Sequence, residues 1–489
     1  MIILKRCICV LLVVIMMLAL VVPVYGGGAN TRRYSYHYDF WWVDIEAVPA
    51  FELTRTISSL DSLTGIPVFS LDDVHAGGGM LFLVDTLDSR INVLNKEFEM
   101  IISIKLLRDE EGRIALTDDG EQIMLDGPEG VFFHELGNEL FIADTGARRI
   151  VVLCGDDFHL KRIITEPDNM VGVTEFVPSK IVVDNAGNIY TVVQRSFEGI
   201  VQLSPEGQFL RFFGVGRPTV NLWDHFWRMV VATNEQREVM ALTLAPSFNN
   251  IDIDSDGFVY ATTTDANSYF MVYRLNPRGE NVLRQSQYLP HLGDLDMGRL
   301  MRVSAFTAVA VNDFGVYAAL DTLRNRIFIY NFEGYLMTVI NHPDNMRGGL
   351  REPSGIAWFG DKLVVTDRAL RIANVYELTE FGRYAFGAQR DFFLGNWEAS
   401  ATQLRRAVEL NSNYMLAYSG IGRFYLMQGE YERAMYYLRL GQDREFYSRA
   451  FGHWRNLWIQ RNFWWLAVLF AVLVMGLVYS EIRYNRRAA

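Results

Sequence analysis

A strand, a tight turn and a second strand recur along this chain with the same residues at the turn, and that repeat restricts the fold more than any other feature. The clearest copy, ELFIADTGARRIVVL at 139–153, ends one apolar strand in Asp144-Thr145-Gly146 and enters the next through Arg148-Arg149. LFLVDTLDSRINVL (81–94), YAALDTLRNRIFIY (317–330) and the shorter LVVTDRALRIANVY (363–376) put Asp85, Asp321 and Asp367 in the slot of Asp144. Arg90, Arg149 and Arg326 open the strand that follows. Two looser copies, at 188–203 and 258–275, keep the pattern without Asp-Thr and bring the total to six. Flanking strands such as PSKIVVDNAGNIY (178–190) and SPEGQFLRFFG (204–214) extend each unit to a four-stranded meander. One such sheet cannot bury both its faces, so six packed face to face around an axis predict a mainly β fold, a six-bladed β-propeller.

These units resemble NHL repeats, with their Pro…D-x-x-G-x-[IV]-Y pattern followed by Asp-Thr and Arg-Ile. The resemblance is specific in the first, second and fifth units and predicts a propeller over 60–387. Carboxylates from several blades could line a channel and hold a metal, as in six-bladed sugar-lactone hydrolases. A site of that kind takes unlike residues from unlike blades, whereas a slot filled four times by Asp points to turn chemistry, with Arg bridging neighbours. Asp85, Asp144, Asp321 and Asp367, with Arg90, Arg149 and Arg326, are therefore read as structural.

The ends of the chain address it. Lys5 and Arg6 precede an apolar run from Cys7 to Val24, and Val24-Tyr25-Gly26 suits a signal-peptidase site, so 1–26 reads as a secretory signal peptide, with an uncleaved anchor as the alternative. Phe463 to Tyr479 carries no charge and is long enough to span a bilayer, flanked by Trp464, Trp465 and Tyr479. Arginines lie on both sides of it, so the exported N-terminus decides the orientation: propeller outside, 480–489 cytoplasmic, one span in the cell membrane. A net charge of −11 excludes a nucleic-acid partner, which needs a basic face. Of three cysteines, Cys7 and Cys9 lie in the leader, which leaves Cys154 unable to form a disulfide within the exported part.

Three segments decorate the propeller. YSYHYDFWW (34–42), within a leading segment 27–59, packs its rings onto the disc or offers a sugar platform, and 50–57 is a strand suited to closing the last blade. A polar stretch at 108–125 reads as a rim hairpin. An insertion at 222–246 shows helical spacing of Trp223, Phe226, Trp227 and Val230. After the last unit, Gly395, Trp397, Ser400 and Leu404 are matched 34 residues on by Gly429, Tyr431, Ala434 and Leu438, so 388–450 resembles a pair of tetratricopeptide (TPR) repeats.

No catalytic constellation stands out. Asp252-Ile-Asp254-Ser-Asp256-Gly257 begins like a calcium loop, but Thr263 occupies the place of the bidentate Glu, and Asp184 and Asn312 fill the same slot in other units, so it reads as a hairpin turn. His75 and His134 lie at equivalent places in adjacent units and could pair. There is no G-x-S-x-G elbow, zinc-protease helix or phosphate loop, and no cofactor is implied. An interaction scaffold is the leading reading, with Trp223, Trp227 and Tyr431 as candidate interface anchors. The whole chain resembles Gram-positive NHL-repeat surface proteins encoded beside carbohydrate ABC-transporter components, which implies a membrane or surface protein as partner. The alternative is a sugar- or sugar-lactone-binding propeller with lactonase-type activity. The channel discriminates between them: unlike polar groups with two or more carboxylates favour the alternative, an apolar or uniform plug the scaffold.

Overall fold

The computed structural model describes residues 34–38, 44–58, 70–117, 119–168, 170, 175–194, 199–214, 247–265, 268, 270–283, 293–296, 301–302, 304–342 and 347–488. The leader 1–26 and the insertion 222–246, with Trp223 and Trp227, lie outside the described residues.

Six antiparallel sheets form the blades of a propeller. Their innermost strands are Leu71–Gly77, Gly130–His134, Pro178–Val183, Phe248–Ile253, Phe306–Val311 and Pro353–Phe359, in blades one to six. Each touches the next, and the sixth touches the first, so the ring is closed. Closure is also made by the chain itself. The strand Phe51–Ser58 pairs antiparallel with Ile372–Leu378 and supplies the outermost strand of blade six, joining the N-terminal part of the domain to its last unit. Tyr34–Tyr38 adds a fifth strand to blade five beside Leu336–Asn341, and Asp44–Glu46 a sixth. Tyr36 is buried there, so its ring packs onto the disc. Among the described residues blade four has three strands, and one bridge from Leu275 to Asn281 follows them. The polar stretch after blade one folds back on itself through the bridges Leu106↔Met124, Arg108↔Ile114 and Leu116↔Gln122.

Local chemistry explains the repeat of hairpins. In blades three, four and five the turn after the innermost strand begins with Asp184, Asp254 or Asn312. Each side chain accepts N–H groups two and four residues on, at 2.8–3.1 Å. Gly187, Gly257 and Gly315 take the positive φ (84°, 83° and 68°) that closes each turn. The calcium-like motif is thus a capped hairpin. Between blades, large rings fill the wedges: Tyr260 meets Tyr317 at 5.4 Å, and Tyr317 stacks on Tyr330 at 5.2 Å.

Five helices follow: α1 Glu380–Phe393, α2 Trp397–Leu410, α3 Met415–Met427, α4 Tyr431–Leu440 and α5 Arg444–Ala488. Thr379 caps α1, its hydroxyl accepting the Gly382 N–H at 3.1 Å and donating to the Pro49 carbonyl at 2.7 Å. The 34-residue spacing has a geometric counterpart. Gly395 and Gly429 have φ of 80° and 77° just before α2 and α4, and Ser400, Leu404, Ala434 and Leu438 are all buried. The helices are fixed to blades five and six. Arg423 of α3 pairs with Glu333 at 2.6 Å and lies over the Phe446 ring at 4.0 Å. Phe332 packs between Phe392 and Phe393, and Phe51 meets Phe386 edge-on at 5.1 Å. Helix α5 then runs 45 residues through the apolar stretch, whose side chains are exposed, and it alone among the described residues is long and apolar enough to cross a membrane.

Candidate functional site

Strand pairing identifies the residues around the axis. The residue opposite the position just before the Asp slot is Asp73, Gly130, Lys180, Asn250, Ala308 or Gly355 in blades one to six. Two residues on, a second ring reads His75, Phe132, Val182, Asp252, Ala310 and Ala357. Neither ring is uniform. Asp73, His75, Lys180, Asn250 and Asp252, with Phe132, Val182 and Ala357, line a cavity of about 610 Å³, which blade five lines instead through Val309 and Val311. Its mouth includes Asn312 and Asp313, whose turn also carries Phe314 against Phe393 of α1. The helices therefore sit on the side of the disc where the cavity opens.

The charges in this cavity are unequally matched. Asp73 and Lys180 form an ion pair at 3.0 Å, and Lys180 also donates to the Glu129 carbonyl at 2.6 Å. Burial pushes the Asp73 carboxyl up, and Lys180 pulls it back. Asp252 accepts N–H groups from Val311 at 2.7 Å and from Ile253 at 2.9 Å. Burial, reinforced by Asp73 and Asp254, pushes Asp252 up to about 7. In the same slot blades three and five carry the buried apolar Val182 and Ala310. The His75 ring lies 4.6 Å from that of Phe132, and burial lowers its pKa to about 4, so it is neutral at physiological pH. Its Nε2 has no hydrogen-bond partner, and neither has Nε2 of His134. The two histidines face the same cavity from adjacent blades, each against a phenylalanine ring, rather than bonding to each other.

A carboxyl that titrates near neutrality and a neutral imidazole can exchange protons with a bound ligand, and the ion pair and Asn250 offer donors and acceptors to fix it. A metal fits the two channel carboxylates poorly. Among the described residues, three ligand atoms from His, Cys, Asp or Glu come within 4.8 Å of one another only at Cys154, Asp157 and His159, on the outer edge of blade two.

The repeated Asp slot lies away from this cavity chemistry. Asp85, Asp144, Asp321 and Asp367 are fully buried, and each accepts an N–H from the segment entering its own blade: Ser70 at 2.9 Å, Asp126 at 2.7 Å, Ala305 at 3.0 Å and Arg351 at 2.6 Å. Three also accept from their own turn, at Asp88, Leu323 and Leu370. The arginines differ. Arg149 pairs with Asp144 at 2.8 Å, but Arg90 pairs with Asp88, and Arg326 turns to Asp294 and to the Tyr36 hydroxyl. Each arginine thus bridges to a different neighbour, because a long guanidinium takes whichever carboxylate its adjoining segment presents. Tyr431 starts α4 and stacks on His453 with centroids 5.4 Å apart, which gives it a packing partner within the helical region. Sequence reasoning did not find Asp73, Lys180 or Asn250, and it weighed Asp252 only as part of a calcium loop. Their signal is departure from the repeat, in slots where other blades hold Gly, Ala or Val.

No family model matches the chain, and no curated protein does. Solved propellers match at low similarity. Virginiamycin B lyase from Staphylococcus aureus aligns with 12% identity and a TM-score of 0.41 over 67% of this chain and 100% of that one. A streptogramin B lyase gives 14% identity and 0.40 over 67% and 98%. Hydrazine synthase of Kuenenia stuttgartiensis gives 10% and 0.39 over 66% and 99%. Likenesses at this level carry no reading of function.

Proposed function

We propose that this protein is a membrane-held extracytoplasmic scaffold that docks other surface or membrane proteins. The observation that supports it most is mechanical: the helices are bonded to blade five through Arg423–Glu333 and the Phe332 cluster and to blade six through Phe51 against Phe386, and α5 continues without a break into the apolar stretch. A propeller held in this way stands at a set orientation to the bilayer, which restricts its partners to neighbours in the same membrane. The resemblance noted from the sequence makes a carbohydrate ABC-transporter component the partner class. Crosslinking in native membranes followed by mass spectrometry tests this, comparing the full protein with one lacking 222–243. Recovery of such a component with the full protein supports the reading, and recovery of no membrane protein overturns it.

A second reading has its own observation. The unlike groups around the axis, with carboxylates at Asp73 and Asp252, are the arrangement that distinguishes a ligand-binding channel from a plugged one, and they support binding of a sugar or sugar lactone there. Lactone hydrolysis by the purified protein that Asp252→Asn abolishes would place this reading first. Hydrolysis unchanged by that substitution, or none at all with no sugar bound, removes it.

A further inference from the structure

We propose that Cys154, Asp157 and His159 form a zinc site on the outer edge of blade two, with three protein ligands and a fourth position open to water. The three side chains bring a sulfur, an oxygen and a nitrogen within 4.8 Å of one another. His159 Nδ1 lies 2.6 Å from Asp157 Oδ1, and the Cys154 thiol also bonds to that carboxylate.

The repeat provides an internal control. The turn between the third and fourth strands begins with Asn95 in blade one, Ser204 in blade three, Asn276 in blade four and Asn331 in blade five. In each, a side-chain oxygen accepts the N–H of the residue four on, at 2.8–3.2 Å. In each, the first residue's own N–H bonds to the carbonyl of that same residue. Blade two departs on both counts. Cys154 stands in the capping slot, where a thiol is a poor acceptor, and its N–H bonds to the carbonyl of His159, five residues on, so the turn is one residue longer. The fold needs neither change. The substitution and the added residue bring Asp157 and His159 to the thiol.

The order of the three groups argues against a nucleophile. An activated cysteine needs its thiol bonded to the imidazole, whereas here the thiol and the ring both bond to the carboxylate. A divalent cation would take the place of the protons that these bonds share. The thiol loses its proton to solvent as the sulfur–metal bond forms, the ring binds through Nδ1 with its proton on Nε2, and the carboxylate is already free. Sulfur with imidazole selects a borderline metal over calcium or magnesium, and one Cys, one His and one Asp suit tetrahedral zinc.

The test is titration of the full-length protein in detergent with Zn²⁺ against a chelating indicator, with the alkylation rate of the thiol followed in parallel. One equivalent binds, and zinc slows alkylation of Cys154. Cys154→Ser and His159→Ala each lower the affinity at least about tenfold, since losing even an outer-shell partner costs that much. Cys154→Ser also serves as the blank for Cys7 and Cys9. Unchanged thermal melting of the variants without zinc shows that they fold. Equal zinc affinity in wild type and Cys154→Ser, or a thiol alkylated at the same rate with and without zinc, overturns the site.

Discussion

Lys180 of blade three reaches past blade two to meet Asp73 of blade one at 3.0 Å. The residue between them in the ring is Gly130, where a Cβ would lie 2.4 Å from the Ser179 carbonyl oxygen. The absence of a side chain in blade two thus lets its neighbours close on each other, and the pair ties together three blades at the axis.

Lys180→Met should therefore leave Asp73 buried without its partner. Losing one member of a buried pair costs about 3–5 kcal/mol, and the loss should shrink at acid pH, where Asp73 takes a proton. Urea unfolding at neutral and acid pH reads both; a loss that grew on acidification would contradict the assignment.

Asp252→Asn tests the second channel carboxyl. The folded group titrates near 7, above its ordinary 3.8, so its contribution to stability is full below the lower value and is lost as pH rises to the upper one. Asparagine keeps an acceptor for the Val311 N–H and carries no charge to bury. The variant should gain stability over wild type at about pH 8 and lose that advantage by about pH 4, read as a difference in melting temperature.

Asp144→Ala removes the acceptor for the Asp126 N–H and the partner of Arg149. A buried donor left unsatisfied costs about 1–3 kcal/mol, so the melting temperature should fall while partner and ligand binding at the axis persist. Loss of binding with unchanged melting would assign the Asp slot a functional role.

Phe51→Ala acts at the seam between the closing strand and the helices, because Phe51 is 2% exposed and packs on both Trp358 and Phe386. Truncating a buried phenylalanine costs about 3–5 kcal/mol. Denaturant midpoints measure the cost, and limited proteolysis should show earlier cleavage around 379–395.

The sequence by itself determined what is local. A strand that ends in Asp-Thr and resumes at Arg-Ile closes a turn through its own side chain, so Asp85, Asp144, Asp321 and Asp367 could be read without their surroundings, and six copies required a closed ring. Helix periodicity and the uncharged run likewise reported the C-terminal helical region. The tertiary structure alone decided what meets at the axis. In five blades a bulge near the start of the innermost strand, as between Leu71 and Asp73 or Phe248 and Asn250, shifts the alternation of side chains, so counting by twos assigns the wrong faces. Asp73, Lys180 and Asp252 come from three blades far apart in the chain. Pairings over such distances depend on closure of the whole ring, which no short stretch of sequence encodes.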